Sequence, residues 1–185
     1  RPQAWTLRDR RLRHRTLGGD VPWADGADWP ASVSHAEASA YARWRGARLP
    51  TEPELHRAAY GAPDGTERAF PWGDEAPAAA HGNFGLRRFG PTPVGAFPAG
   101  ASAWGVHELC GNGWEWTSTP FAPFPGFTAM PHYAGYSADF FDGKHYVMKG
   151  ASWATDEVFL RRSFRNWFQP HYPYVFSKFR CAYPA

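Results

Sequence analysis

Apolar and polar positions follow a helical period in only two stretches of this chain, and the same local device announces both. Ser34 and Glu37 stand ahead of Ala38, Tyr41 and Ala42, an apolar face at helical spacing, and Gly46 follows. The Ser/Glu spacing is that of a capping box, in which hydroxyl and carboxylate each satisfy a backbone group that the first turn leaves open. Glycine is well suited to end such a helix. Thr51 and Glu54 repeat the box, Pro53 is tolerated in the first turn, and Gly61 supplies the stop. The segment ARLPTE between them predicts a tight link between two short helices.

Beyond Gly61 the helical period disappears. From Pro63 to Pro98 the chain is rich in Gly, Pro and Ala, with brief apolar runs such as PVGAF (Pro93 to Phe97), which predicts loops and short strands. In GVHELCGNGWEWTST, Trp114 and Trp116 share one face if the backbone is extended, because side chains alternate along a strand. The segment from Pro120 to Lys144, rich in Phe, Pro and Gly, predicts a long irregular loop, and loops of that length tend to carry function. HYVMKGASW and VFSKFRCA predict the closing strands, and there is no internal repeat.

Composition narrows the class. A chain of 185 residues is long enough for one sizeable core and short for two. Ten Trp, fourteen Phe and eight Tyr beside nineteen Gly and eighteen Pro imply turns and loops stapled by large flat side chains. The net charge of +3 owes much to Arg1, Arg8, Arg10, Arg11, Arg13 and Arg15. These arginines are read as the solvated end of a linker or a leading strand over residues 1–20, because no aromatic-interleaved basic face or nucleic-acid reader motif follows them. No apolar run is long enough to span a bilayer and no signal-peptide pattern opens the chain, so a cytoplasmic protein is expected.

The reactive residue types do not cluster along the sequence. Two cysteines, Cys110 and Cys181, match no zinc spacing and are expected as buried thiols. None of the eight histidines stands three or four residues from another, which excludes a two-histidine metal site on one helix. Gly-rich phosphate loops and a nucleophile elbow are missing. Asp74, Glu75, Glu108 and Glu115 are open both to acid–base work and to structural pairing. Asn112 and Glu115 in GNGWEW offer the oxygen ligands of a structural calcium ion.

The densest chemistry lies in RSFRNWFQP, Arg162 to Pro170, where an amide, an indole, phenyl rings and guanidinium groups fall together. Aromatic faces beside an amide suit an organic cation, since a ring quadrupole attracts a cation with roughly 0.5 to 2 kcal/mol. The same residues equally suit a buried strand end whose arginines pair with carboxylates.

The ordered series SHAEASAYARWRGARLPTEPEL, FPWGDE, PTPVGAF, GNGWEWTSTPF, MKGASW and FRCA resembles the formylglycine-generating-enzyme superfamily over most of residues 21–185. That resemblance implies an α+β modified C-type lectin fold, loop-rich, with short antiparallel strands and two short helices. TSTPFAPFPGF, SADFFDGKHYVMKGASW and SFRNWF are similar to the ergothioneine and selenoneine branch, the sulfoxide-synthase-like enzymes. These use non-haem iron and dioxygen to join a sulfur or selenium donor to hercynine, the trimethylammonium form of histidine.

The resemblance implies Asn166 and Trp167 as hercynine contacts, with Phe168 and Arg165 beside them, and a proton-donating tyrosine at Tyr133 or its neighbour Tyr136. Phe168 stands where members using glutamylcysteine often carry an acid, which points to another donor such as cysteine or a selenosugar. The branch holds its iron(II) on histidines of an N-terminal helical bundle that residues 1–20 cannot form. The ligands are therefore expected outside this chain, and the chain alone is expected to be inactive. The resemblance leaves two alternatives: a formylglycine-generating oxidase, although ASWATDEVF lacks the cysteine that would help bind copper, and a non-catalytic lectin-like binding module.

Overall fold

The capping boxes form as the spacing predicts. In the computed structural model, which describes residues 2–184, helix α1 spans His35–Trp44 and α2 spans Glu52–Tyr60, each with both reciprocal cap hydrogen bonds in place. Gly46 takes φ 70 just past α1, a left-handed conformation that glycine adopts without strain, whereas Gly61 stops α2 in an extended conformation. Ala38 and Ala42 of α1 are fully buried, but Tyr41, expected on the same face, is 45% exposed and lies against Trp44 and Phe179.

The residues read as a linker or leading strand enter a three-stranded antiparallel meander, β1 (Trp5–Arg8), β2 (Arg11–Thr16) and β3 (Gly19–Pro22). The sequence RLRHRT alternates with period two, and that alternation places His14 inward between Trp23 and Trp29 while the arginines face outward. The division expected between residues 20 and 21 falls inside β3.

The second sheet is built in the order β6-β5-β4-β7 from β4 (Trp114–Pro120), β5 (Tyr146–Lys149), β6 (Asn166–Phe168) and β7 (Ser177–Lys178). All its pairings are antiparallel except β4 with β7, which run parallel. Trp114 and Trp116 both enter the main core with Ala38, Ala42, Leu49 and Met148, so the shared-face reading of WEW holds. Full burial of an aromatic side chain contributes about 3 kcal/mol on area alone, which makes this packing the seam between the helices and the sheet. PVGAF is not a strand: it makes a turn in which Ala96 N–H bonds Pro93 O, with Gly95 at φ 81. The segment between β4 and β5 is irregular apart from two 3-10 turns, Ala134–Tyr136 and Ala138–Phe140.

Candidate functional site

β6 places Asn166, Trp167 and Phe168 opposite Met148, Val147 and Tyr146 of the central strand β5. The irregular segment before β5 folds over this edge and brings Tyr133, Tyr136 and Phe140 against it. The result is an open cleft of about 460 Å³ lined by ten residues, seven of them Phe, Tyr or Trp and none acidic. Every residue that the sequence singled out here, Tyr133, Arg165, Asn166, Trp167 and Phe168, lines it.

Trp167 is the hub of the aromatic packing. Its indole stacks on the buried Phe121 ring at 4.2 Å and 7°, faces the edge of Tyr136 at 6.1 Å and 87°, and meets Phe140 at 5.6 Å and 49°. Phe168, as the next strand residue, points the other way. Its ring stacks on Tyr172 at 4.4 Å and packs against the main core. The Asn166 side-chain oxygen accepts the Trp167 N–H at 2.9 Å, which leaves its amide nitrogen as the donor end of the group. Tyr133 stands at the mouth, 62% exposed, with its ring 5.5 Å from that of Tyr136.

Two cleft residues that the sequence reading missed are Phe140 and His145, packed edge to face at 5.2 Å. Their signal lay in SADFFDGKH, but no spacing rule ties those residues to β6. The His145 ring nitrogen Nδ1 lies 2.9 Å from Asp142, and that hydrogen bond, with the Lys144 N–H, holds the Asp142 carboxyl below its usual range.

Arg165 behaves as the strand-end reading supposed. Nη2 donates to Glu52 at 2.8 Å, Nη1 donates to the Ala122 carbonyl at 2.9 Å, and the plane lies over Phe121 and Phe124. Its Nε is buried without an acceptor. Arg162, at the start of the same stretch, pairs with Glu67 at 2.7 Å. Glu52 also lies 3.8 Å from the buried Lys149, whose Nζ donates to the Arg162 carbonyl at 2.6 Å. Burial draws the Lys149 ammonium down to about 8, against the pull of Glu52.

Of the other sequence candidates, Asp74, Asn112 and Glu115 have structural partners for their side chains. Asp74 accepts the Ala69 N–H, and the Glu75 carbonyl accepts the Trp72 indole N–H. The calcium reading of GNGWEW does not hold: Asn112 Oδ1 accepts from Thr92 and Asn83, and both Glu115 oxygens are taken by Arg180. Burial pushes the Cys110 thiol up to about 12, and Cys181 is half-buried against the main core. Among the described residues no three His, Cys, Asp or Glu side chains come together to hold a metal ion. The iron implied by the resemblance finds no such ligand set among them.

A second cleft, of about 380 Å³, lies between the N-terminal sheet and the Pro173–Ser177 segment, lined by Trp5, Trp29, Phe89 and Tyr174 among others. It includes His14 of β2 and none of the residues of β6. Among the described residues no helix is long and apolar enough to cross a membrane.

Comparison with known proteins agrees with the fold and with the branch. The sulfatase-modifying factor enzyme 1-like domain matches residues 5–185. Hercynine oxygenase of Mycobacterium tuberculosis is 44% identical over 98% of this chain and 42% of its own length. Ergothioneine biosynthesis protein 1 of Schizosaccharomyces pombe is 34% identical over 94% of this chain and 21% of its own length. The chain thus spans less than half the length of these curated relatives. Among solved structures, PvdO from Pseudomonas aeruginosa superposes with a TM-score of 0.57 at 24% identity, covering 89% of this chain and 64% of that one.

Proposed function

The chain belongs to the sulfatase-modifying factor enzyme 1-like domain family, and from that premise we propose that it is the substrate-binding domain of a cytoplasmic, hercynine-processing, oxygen-dependent enzyme. In that enzyme a carbon–sulfur or carbon–selenium bond forms on the hercynine imidazole. Iron(II), held on an N-terminal helical bundle outside this chain, supplies the oxidative chemistry when bound. The role of the present residues is to hold and orient the substrate.

The observation that carries this reading is the aromatic corner around Trp167. A quaternary ammonium donates no hydrogen bond, so a site selects it by ring faces and shape. Trp167, Tyr136 and Phe140 gather their rings in one cleft whose lining includes no carboxylate to favour an ordinary protonated amine. The amide nitrogen of Asn166, whose oxygen is engaged by the Trp167 N–H, is the donor for the substrate carboxylate or an imidazole nitrogen. Tyr133, at the mouth, is the phenol available as proton donor. Phe168, at the position where members that use glutamylcysteine often carry an acid, supports a donor other than glutamylcysteine by its residue type, its ring being stacked on Tyr172.

Calorimetry tests this directly. Hercynine is expected to bind the chain weakly, and histidine, which lacks the methyl groups, about tenfold more weakly still. Trp167→Ala should remove hercynine binding while the circular dichroism spectrum stays that of the folded chain. Equal affinity in the variant would rule out the aromatic corner as the cation site. The chain alone, given ferrous iron, hercynine, thiol and oxygen, is expected to form no product, and turnover would overturn the assignment of iron binding to another domain.

A further inference from the structure

Arg165 immediately precedes β6, two positions before Trp167, a separation of about 7 Å along an extended backbone. That gap is filled by one ring. Phe121 enters from the end of β4, with the Arg165 guanidinium carbon 4.9 Å from its centroid and the Trp167 indole stacked at 4.2 Å. Its own backbone is pinned by the hydrogen bond from Phe121 N–H to the His145 carbonyl at 2.7 Å. The orientation of Trp167 therefore depends on where Phe121 lies, and Phe121 lies where the guanidinium plane permits.

The guanidinium is in turn fixed from a distant part of the chain. Its acceptors are the Ala122 carbonyl and Oε2 of Glu52, and Glu52 and Arg165 expose only 11% of their side chains each. Glu52 is the first residue of α2, and its backbone N–H donates to Thr119 Oγ1 at 2.8 Å, so the carboxylate is delivered by a capped helix tied to β4. A charge-assisted bond of this kind resists sliding of the plane across Phe121. The buried Lys149 approaches the other Glu52 oxygen from beyond, which leaves Oε2 to Arg165.

We propose that Glu52 is a positioning residue for the cleft: acting through Arg165 and Phe121, it sets the angle at which Trp167 faces the bound cation. Arg165, sequestered against Glu52 and two rings, is then part of the support and not a substrate contact. The inference rests on the hercynine reading for its ligand, and it is tested by a second readout that needs no ligand.

The chain carries ten tryptophans. Labelled with 5-fluorotryptophan, it gives one fluorine resonance per indole, and the Trp167 resonance is identified by its loss in Trp167→Phe. Glu52→Ala and Phe121→Leu are expected to shift or split that resonance most among the ten. Glu52→Gln, which keeps an oxygen acceptor for Arg165, should leave it near its original position. In calorimetry, Glu52→Ala should weaken hercynine binding about tenfold, the scale of one charge-assisted hydrogen bond, and Glu52→Gln should recover most of it. Should Glu52→Ala not fold, Arg165→Lys carries the same test, since an ammonium cannot lie flat on Phe121 or hold two acceptors in a fork. An unmoved Trp167 resonance in folded Glu52→Ala or Arg165→Lys overturns the proposal. So does a loss of affinity equal in the Gln and Ala variants. Absence of hercynine binding by the parent chain would instead defeat the functional reading, with the fluorine spectra still deciding whether Glu52 positions Trp167.

Discussion

At Asn112 one side chain does what the motif GNGWEW suggested a cation would do. Its oxygen accepts the Thr92 N–H at 2.8 Å and the Asn83 amide at 3.2 Å, while its nitrogen donates to the Thr92 carbonyl and to Glu108, both at 3.0 Å. The residue sits at φ 64, a conformation that asparagine tolerates better than most side chains. Calcium and this hub draw on the same residue types, so the sequence could not distinguish them; the difference is whether donors surround the oxygen. Asn112→Asp separates the two. A calcium ligand would accept a carboxylate, whereas here the charge would be buried against Glu108 and a carbonyl. The substitution is expected to lose about 3 kcal/mol, the cost of a buried charge without a partner. In thermal unfolding, added calcium should not restore the loss.

Among the elements, legibility followed locality. The two helices were readable because a capping box is written within four residues, and removing one should be felt locally. Ser34→Ala is expected to cost about 1 kcal/mol in denaturant unfolding. Thr51→Ala should cost less, because Ser34 is buried and its loss strands a backbone N–H away from water, while the Thr51 cap is exposed. A larger loss at Thr51 would show that the helix carrying Glu52 depends on its cap more than its exposure suggests. The three-residue β6 is the opposite case. Nothing within Asn166–Phe168 dictates a strand; the conformation comes from pairing with β5, about twenty residues earlier in the chain. RSFRNWFQP could therefore be read as a cation pocket or as a strand end with paired arginines, and the structure contains features of both. Trp167 opens on the cleft while Arg165 pairs with Glu52. The meander β1–β3 had its signal in the alternation of RLRHRT, which the density of arginine obscured. Phe121, Phe140 and His145 stood in segments whose spacing did not tie them to β6, since what gathers them is the course of an irregular loop.

On the scale of the whole molecule, buried histidines add to the apolar clusters, one packed within the N-terminal sheet region and one tying α1 to the second sheet. His14 of β2 is stacked on Trp23 at 4.4 Å, and His35, at the start of α1, is stacked on Tyr146 of β5 at 3.9 Å with Nε2 3.1 Å from the Thr117 carbonyl. Burial lowers both imidazoles from the ordinary 6.5, and the carbonyls that accept from them only partly oppose the shift. Folded, they resist a proton that the unfolded chain accepts, so over this range the unfolded state binds more protons and stability rises with pH. Their contribution is complete above about pH 6.5 and is lost as pH falls through the lowered folded values. Other shifted groups titrate elsewhere: Lys149 between about 8 and its ordinary 10.5, and Glu54, held by Arg48, near 2. Thermal unfolding between pH 7.5 and 5 is therefore expected to show a falling midpoint governed by these two rings. His35→Gln keeps a donor for Thr117 and removes one titrating site, so it should flatten the profile while lowering the midpoint at pH 7.5 through loss of the Tyr146 stack. An unchanged slope in the variant would mean that His35 takes up protons equally in the folded and unfolded chain, and that its burial does not govern the pH dependence.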